Sequence, residues 1–198
     1  MKQRGFTLIE VIIAVTIAGF LLAAALPSAG AWIRNTRIRT AAESMSNGLM
    51  QARNEAVRRN QPVSFYLVSE SDPVAMSDSC ALSSTGAGWV VAVASPANKC
   101  ATDRDSFIAL RPPGNSAGGL SVSTTGGATT VTFNGYGQVS NVAAINCIKV
   151  SNPSDTSTRT LAIGVHAGGQ VRMCDAGVSD ANDPRLCLTP AQPGVGCN

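Results

Sequence analysis

Residues 6–26, FTLIEVIIAVTIAGFLLAAAL, form an apolar run with one charge, Glu10, and they follow a short basic stretch, MKQRG. A helix of roughly 20 apolar residues crosses the hydrocarbon core of a bilayer. The run therefore predicts a transmembrane helix, and the rest of the chain is what hangs from it. A secretory signal peptide is the competing explanation. Such signals place a small-residue cleavage site after the apolar stretch, which Ala23-Ala24-Ala25 imitates, but they carry no carboxylate near its start. An ionised carboxylate within the membrane costs about 2.5–3.5 kcal/mol on insertion scales unless it meets a cation. If the chain is cut after Gly5, a new α-amino group appears on Phe6, four residues from Glu10. The same amine on a neighbouring copy would then neutralise Glu10 when two such helices slide into register. The alternative is a Glu10 that lies near the interface and snorkels to water.

Charge is distributed unevenly around this run. Lys2 and Arg4 precede it, and residues 28–60 carry six arginines against Glu43 and Glu55. Residues 61–198 carry seven basic against nine acidic side chains, so the basic excess lies on the N-terminal arm. Lys2 and Arg4 agree with a cytoplasmic N-terminus under the positive-inside tendency, whereas Arg34, Arg37 and Arg39 fall on the far side and do not.

Beyond the run, Pro27 lacks an N–H and is expected to kink or open the helix. Ile38, Ala42, Met45, Leu49, Ala52 and Ala56 then recur at alternating spacings of four and three, the apolar face of an amphipathic helix. Gln61-Pro62 ends it, because a residue before proline disfavours helical geometry. A continuous helix from Phe6 to Arg59 spans about 80 Å. From residue 62 the pattern changes to short β-branched or alternating runs: 62–68, 89–94, 107–110, 120–123, 129–133, 144–150, 161–165 and 170–174. Turn residues such as Asn134-Gly135, Pro112-Pro113-Gly114 and Gly168-Gly169 separate them. The expected class is α+β: a long N-terminal α-helix packed on a C-terminal antiparallel β-sheet or sandwich. The expected division is a leader at 1–5, a transmembrane helix at 6–26, an amphipathic periplasmic helix at 27–60 and a β-rich globular head at 61–198.

Cys80, Cys100, Cys147, Cys174, Cys187 and Cys197 all lie in the second half, and none forms a CxxC pair. An even count without metal-ligand spacing reads as a disulfide framework in an oxidising compartment, the periplasm or cell surface. The strand pattern suggests that Cys147 bridges Cys174, Cys187 closes with Cys197 and Cys80 pairs with Cys100. No metal site or cofactor is indicated. His166 is the sole histidine and precedes a turn at Ala167-Gly168-Gly169, so no nucleophile–base pair can be assembled. The carboxylates Asp103 and Asp105, or Asp180 and Asp183, sit in polar loops with no base or metal-ligand cluster beside them, and Asp180–Asp183 lack the glycine and distal glutamate of a recognised calcium loop. The expected class is structural, not enzymatic.

Gly5-Phe6-Thr7-Leu8-Ile9-Glu10, followed by an uninterrupted apolar helix, resembles the processing signal of type IV pilins and type II secretion pseudopilins. That resemblance implies prepilin peptidase cleavage after Gly5, N-methylation of Phe6 and an assembly role for Glu10. Within this superfamily, Gln51-Ala52-Arg53-Asn54-Glu55-Ala56-Val57, Gly88-Trp89-Val90 and Phe133-Asn134-Gly135 resemble the group of GspH, FimT and FimU. The closing Gly169-Gln170-Val171-Arg172 matches that group only in part. The group implies a minor pilin that takes part in priming and assembling a type IV pilus. Its implied partners are other minor and major pilins, the prepilin peptidase and an inner-membrane assembly platform. Its implied location is the inner membrane, single-pass with the head in the periplasm, and then the pilus at the cell surface. Two alternatives remain: a pilus-borne DNA receptor for natural transformation, or a minor pseudopilin of type II secretion. For the receptor, the FimT branch implies arginines around the last strand. Arg172 occupies such a position, Gln170 stands where the pattern has its first arginine, and Lys149, Arg159 and Arg185 are further candidates. An acidic excess over the head argues against DNA.

Overall fold

The computed structural model describes residues 7–114, 118–155, 157–180, 182–187 and 197, with the backbone alone at 23–29. A single helix, α1 (Leu8–Arg59), occupies 52 residues and is about 78 Å long. Thr7 caps its N-terminus through a capping box with Glu10. Its C-terminus is closed by Asn60 in the left-handed region (φ 50°), whose N–H donates to the Ala56 and Val57 carbonyls. The local opening expected at Pro27 does not occur, since α1 runs through position 27 without interruption.

Among the described residues nine strands follow: β1 (Val63–Ser69), β2 (Ala81–Leu82), β3 (Gly88–Ala92), β4 (Ala109–Arg111), β5 (Ser121–Thr124), β6 (Thr130–Phe133), β7 (Cys147–Ser151), β8 (Leu161–Val165) and β9 (Val171–Asp175). All pairings between them are antiparallel. In the first sheet β1 is central, with β3 then β4 on one side and β6 and β2 sharing the other. The second sheet has the order β5-β7-β8-β9. The two-residue β2 has no counterpart in the sequence expectation, because two residues carry no alternation.

The inner faces of both sheets meet the second half of α1. Ile38, Ala42, Met45, Leu49, Ala52 and Ala56, the stripe expected from spacing, are all buried there. Phe65, Phe133, Ile148 and Ile163 supply the sheet side of this core. Phe65 stacks on Trp89 with ring centroids 5.8 Å apart, and the Trp89 indole N–H donates to Ser44 Oγ on the helix at 3.0 Å. Gly48 lets the backbone of α1 approach this pair, since a Cβ there would lie 2.9 Å from Phe65 Cε2.

β1 is buried on both faces because the excursion 70–107 folds back over its outer side. Tyr66, Val68, Met76 and the Cys80–Cys100 bridge form this second apolar layer. The outer face of the second sheet carries a third cluster built from Cys147, Ala162, Cys174, Cys187 and Cys197. Its pairing corrects the sequence expectation: Cys147 joins Cys197 and Cys174 joins Cys187, whereas Cys147–Cys174 and Cys187–Cys197 had been expected. The reason is the strand order. Cys147 on β7 and Cys174 on β9 flank β8, and strands two apart are separated by roughly 9–10 Å, beyond the reach of a disulfide. Each cysteine therefore takes a partner from the C-terminal segment, at Cα separations of 5.5 and 5.0 Å.

Candidate functional site

Two parts of the molecule present chemistry that the packed head does not use. The first is the N-terminal half of α1. Leu8, Ile9, Ile12, Ile13, Phe20 and Leu21 are exposed, with Leu8 at 79% and Phe20 at 74%, so this arm offers an apolar surface that the chain itself does not cover. Gly5 and Phe6 lie outside the described residues. Among the described residues no helix is long and apolar enough to cross a membrane. The expected span 6–26 has its side chains described for residues 7–22.

Glu10 sits in the first turn of α1 and is exposed. Its Oε2 accepts from the Thr7 N–H at 3.5 Å and from the Thr7 hydroxyl at 3.4 Å, while its own N–H donates to Thr7 Oγ1 at 3.4 Å. These distances lie beyond the usual 2.7–3.2 Å or so. The carboxylate is thus oriented by the cap but held loosely, and an ammonium group placed beside it would outcompete a neutral hydroxyl and amide.

The second part is a cleft of about 540 Å³ between α1 and the β8–β9 side of the second sheet. Trp32, Asn35 and Arg39 line it from α1, Arg159 and Leu161 from the start of β8, and Met173, Asp175 and Arg185 from β9 and the segment after it. Its helix side is fastened from outside by two contacts to the loop before β8: Arg34 Nε to Asp155 Oδ2 at 2.7 Å, and the Arg159 N–H to Asn35 Oδ1 at 2.9 Å. Hydrogen bonds from the Ser157 hydroxyl and N–H, assisted by the Arg34 charge, hold the Asp155 carboxyl below its ordinary range. On the far wall Arg185 grips Asp183 through Nε at 3.0 Å and Nη2 at 2.6 Å. That fork lowers the Asp183 carboxyl to about 2. Arg39 pairs with Glu43 at 2.7 Å. Among the described residues the Arg159 guanidinium has no ion pair.

The four candidate DNA contacts do not share one face. Arg159 and Arg185 line the cleft. Lys149 alternates with the inward-facing Ile148 and Val150 and so lies on the outer face of the second sheet with Cys147. Arg172 is exposed on β9, where its Nη2 donates to the Pro184 carbonyl at 3.2 Å. Trp32 and Asn35 were not singled out from sequence, and Arg39 stood out only for its charge. The available signal was an aromatic residue shortly after an apolar run, followed by arginines.

His166 lies at the β8–β9 turn, where its N–H donates to the Gln170 carbonyl. Among the described residues no group of three or more His, Cys, Asp or Glu is arranged to hold a metal ion.

A third feature joins the parts of the head. The turn after β6 lies against the end of α1, with Arg53 Nε donating to the Gly137 carbonyl at 3.1 Å. A Cβ on Gly135 would lie 2.4 Å from Asn60 Oδ1, and one on Gly169 would lie 1.7 Å from the Gly137 oxygen. The resemblance motifs Gln51–Val57 and Phe133-Asn134-Gly135 therefore meet in space, and the β8–β9 turn closes over them.

Comparison with known families places this geometry. The family model described as type II transport protein GspH matches residues 41–169, and the model of the prokaryotic N-terminal methylation motif matches residues 1–26. No curated protein matches the sequence. Two crystal forms of the type IV minor pilin FimU from Pseudomonas aeruginosa (strain PAO1) are similar to it in structure, each at 16% identity. One aligns over 72% of this chain and 97% of its own with a TM-score of 0.45, the other over 74% and 94% with a TM-score of 0.48.

Proposed function

The chain belongs to the GspH family of pilins and pseudopilins, and from that premise we propose that it is a minor pilin which takes part in priming and assembling a type IV pilus. The observation that carries this reading is the uncovered apolar arm of α1 with Glu10 in its first turn, joined without a break to the half of the helix that holds the head. An arm of this kind finds cover in a bilayer or among other such arms, and one subunit can move between the two environments without refolding its head.

In this reading residues 1–5 are a leader removed after Gly5, and Phe6 is N-methylated. Residues 6–26 span the inner membrane once, residues 27–60 carry the head, and residues 61–198 form it in the periplasm. Glu10 pairs with the N-terminal amine of the neighbouring pilin. The loosely held carboxylate supports this, because an incoming amine has little to displace. The role is structural, and no step of catalysis is assigned to any residue.

The test is Glu10→Ala in cells that also carry the deletion of the native gene. Retention of the variant in the inner membrane with exclusion from sheared filaments is the expected result. Normal incorporation would remove the register role of Glu10. A second reading, a minor pseudopilin of type II secretion, is favoured by the description of the matching family model. Deletion separates the two, through loss of surface pili in the first case and loss of secreted proteins in the second.

A further inference from the structure

The arginines on the far side of the apolar run, which oppose the positive-inside tendency, have no part in the assembly chemistry of Glu10. Two of them bear on the cleft: Arg39 lines it, and Arg34 fastens its helix wall to Asp155. Along α1 the cleft occupies positions 32–39, the first turns after the apolar run. Trp32 lies six residues beyond Leu26, about 9 Å along a continuous helix. The β8–β9 hairpin runs alongside, with its open end at this level and its turn at the opposite end, beside Arg53. The cleft thus lies at the membrane-proximal base of the head.

Its chemistry is specific. Among the described residues Arg39, Arg159 and Arg185 line it with Asp175 as the one acidic lining residue, whose charge faces Arg185 and whose carboxylate accepts from the Gly177 N–H at 3.0 Å. Arg39 and Arg185 retain guanidinium donors beyond those used on Glu43 and Asp183. Trp32 is 70% exposed at the same place. An indole with an apolar body and one N–H donor favours the headgroup region of a bilayer, and basic side chains just outside a span attract anionic lipids.

We propose that this cleft binds the phosphate of an anionic phospholipid headgroup at the surface from which the head emerges, and so seats the base of the head on the bilayer before the subunit enters a filament. The occupant is a lipid and not a soluble anion because the cleft opens where Trp32 meets the interface. The inference rests on the reading of residues 6–26 as a membrane span. It adds a headgroup site to the apolar anchor, and lipid release becomes one component of extraction into the filament.

The test uses the full chain in phosphatidylcholine nanodiscs with increasing phosphatidylglycerol, brominated high in its acyl chains. Trp89 is buried, so quenching reports Trp32, and Trp32→Phe identifies the signal. Quenching should rise steeply at low phosphatidylglycerol. Arg159→Gln should raise the mole fraction for half-maximal quenching about fivefold, and Arg159→Lys should restore most of the difference. Arg159 is exposed, and unchanged circular dichroism checks that the variants fold. Insertion with no dependence on phosphatidylglycerol overturns the inference and leaves the membrane-span reading intact. Failure to insert overturns both. Equal competition by inorganic phosphate or by a short DNA duplex would make the cleft a general anion or nucleic-acid site and overturn the lipid assignment.

Discussion

The Nε of Arg53 donates to the carbonyl oxygen of Gly137 at 3.1 Å, and the same oxygen leaves no room for a side chain at residue 169. One carbonyl therefore ties together the end of α1, the turn after β6 and the turn between β8 and β9. Gly169 adopts φ 79°, where an L side chain costs about 1–2 kcal/mol, and overpacking adds about 1–3 kcal/mol. Gly169→Ala should lower stability by about 3 kcal/mol, and Arg53→Met, which keeps the apolar stem, by about 1–2 kcal/mol. Guanidinium midpoints of the oxidised full chain in detergent check the order.

Gly48 and Leu49 face the same core with opposite tolerances. Leu49→Ala leaves a cavity and should cost about 2–5 kcal/mol. Gly48→Ala improves helix propensity but drives a methyl group against Phe65 and Trp89, so it should cost about 1–3 kcal/mol where an exposed helix position would gain stability. A Trp89 fluorescence change that accompanies Gly48→Ala, with Trp32→Phe as background, reports the displacement.

The disulfide connectivity is open to direct mapping. Non-reducing peptide analysis should recover Cys80 with Cys100, Cys147 with Cys197 and Cys174 with Cys187. A peptide joining Cys147 to Cys174 would contradict the order of the second sheet. Replacing both Cys80 and Cys100 by serine should cost about 2–4 kcal/mol and loosen the outer layer over β1 while leaving the helix core folded.

Glu70 organises the excursion that covers β1. Partial burial pushes its carboxyl up, but hydrogen bonds from the Ser77 N–H and hydroxyl and from the N–H groups of Asp72 and Ser71 outweigh this and bring it down to about 2. A folded-state value below the unfolded one stabilises the native state above the unfolded value, here near 4.5, and that contribution fades as pH falls from there toward about 2. The protection factor of the Ser77 amide, its exchange rate taken relative to the intrinsic rate at each pH, should therefore fall across that acid window. Glu70→Gln should already be less protected at neutral pH and change little through the same window.

The helix face and the strands were legible because they are periodic and local. Ile38 through Ala56 repeat every three or four residues, and β1 and β8 are β-branched runs bounded by turn residues. Of the cysteine partners, Cys80 with Cys100 was legible, whereas those of Cys147, Cys174, Cys187 and Cys197 were not, because Cys147 and Cys174 look like neighbours until β8 is known to lie between them. The cleft was hidden for a related reason. Trp32, Arg159 and Arg185 converge only through the docking of β8 and β9 on the helix, and Lys149, although close in sequence to Arg159, points to the other face. What remained out of reach is what depends on which strand lies beside which.

The bridge from Cys147 to Cys197 closes a ring across a sequence separation of 50. If the chain is drawn into a filament as proposed and tension is applied, load reaching the head through α1 can unravel only chain outside such a ring. On the order of 170 Å of extended polypeptide is thereby withheld from the contour of the subunit. Together with the shorter ring from Cys80 to Cys100, this leaves the head little slack: stretched to its limit, it yields length only from segments that no bridge encloses.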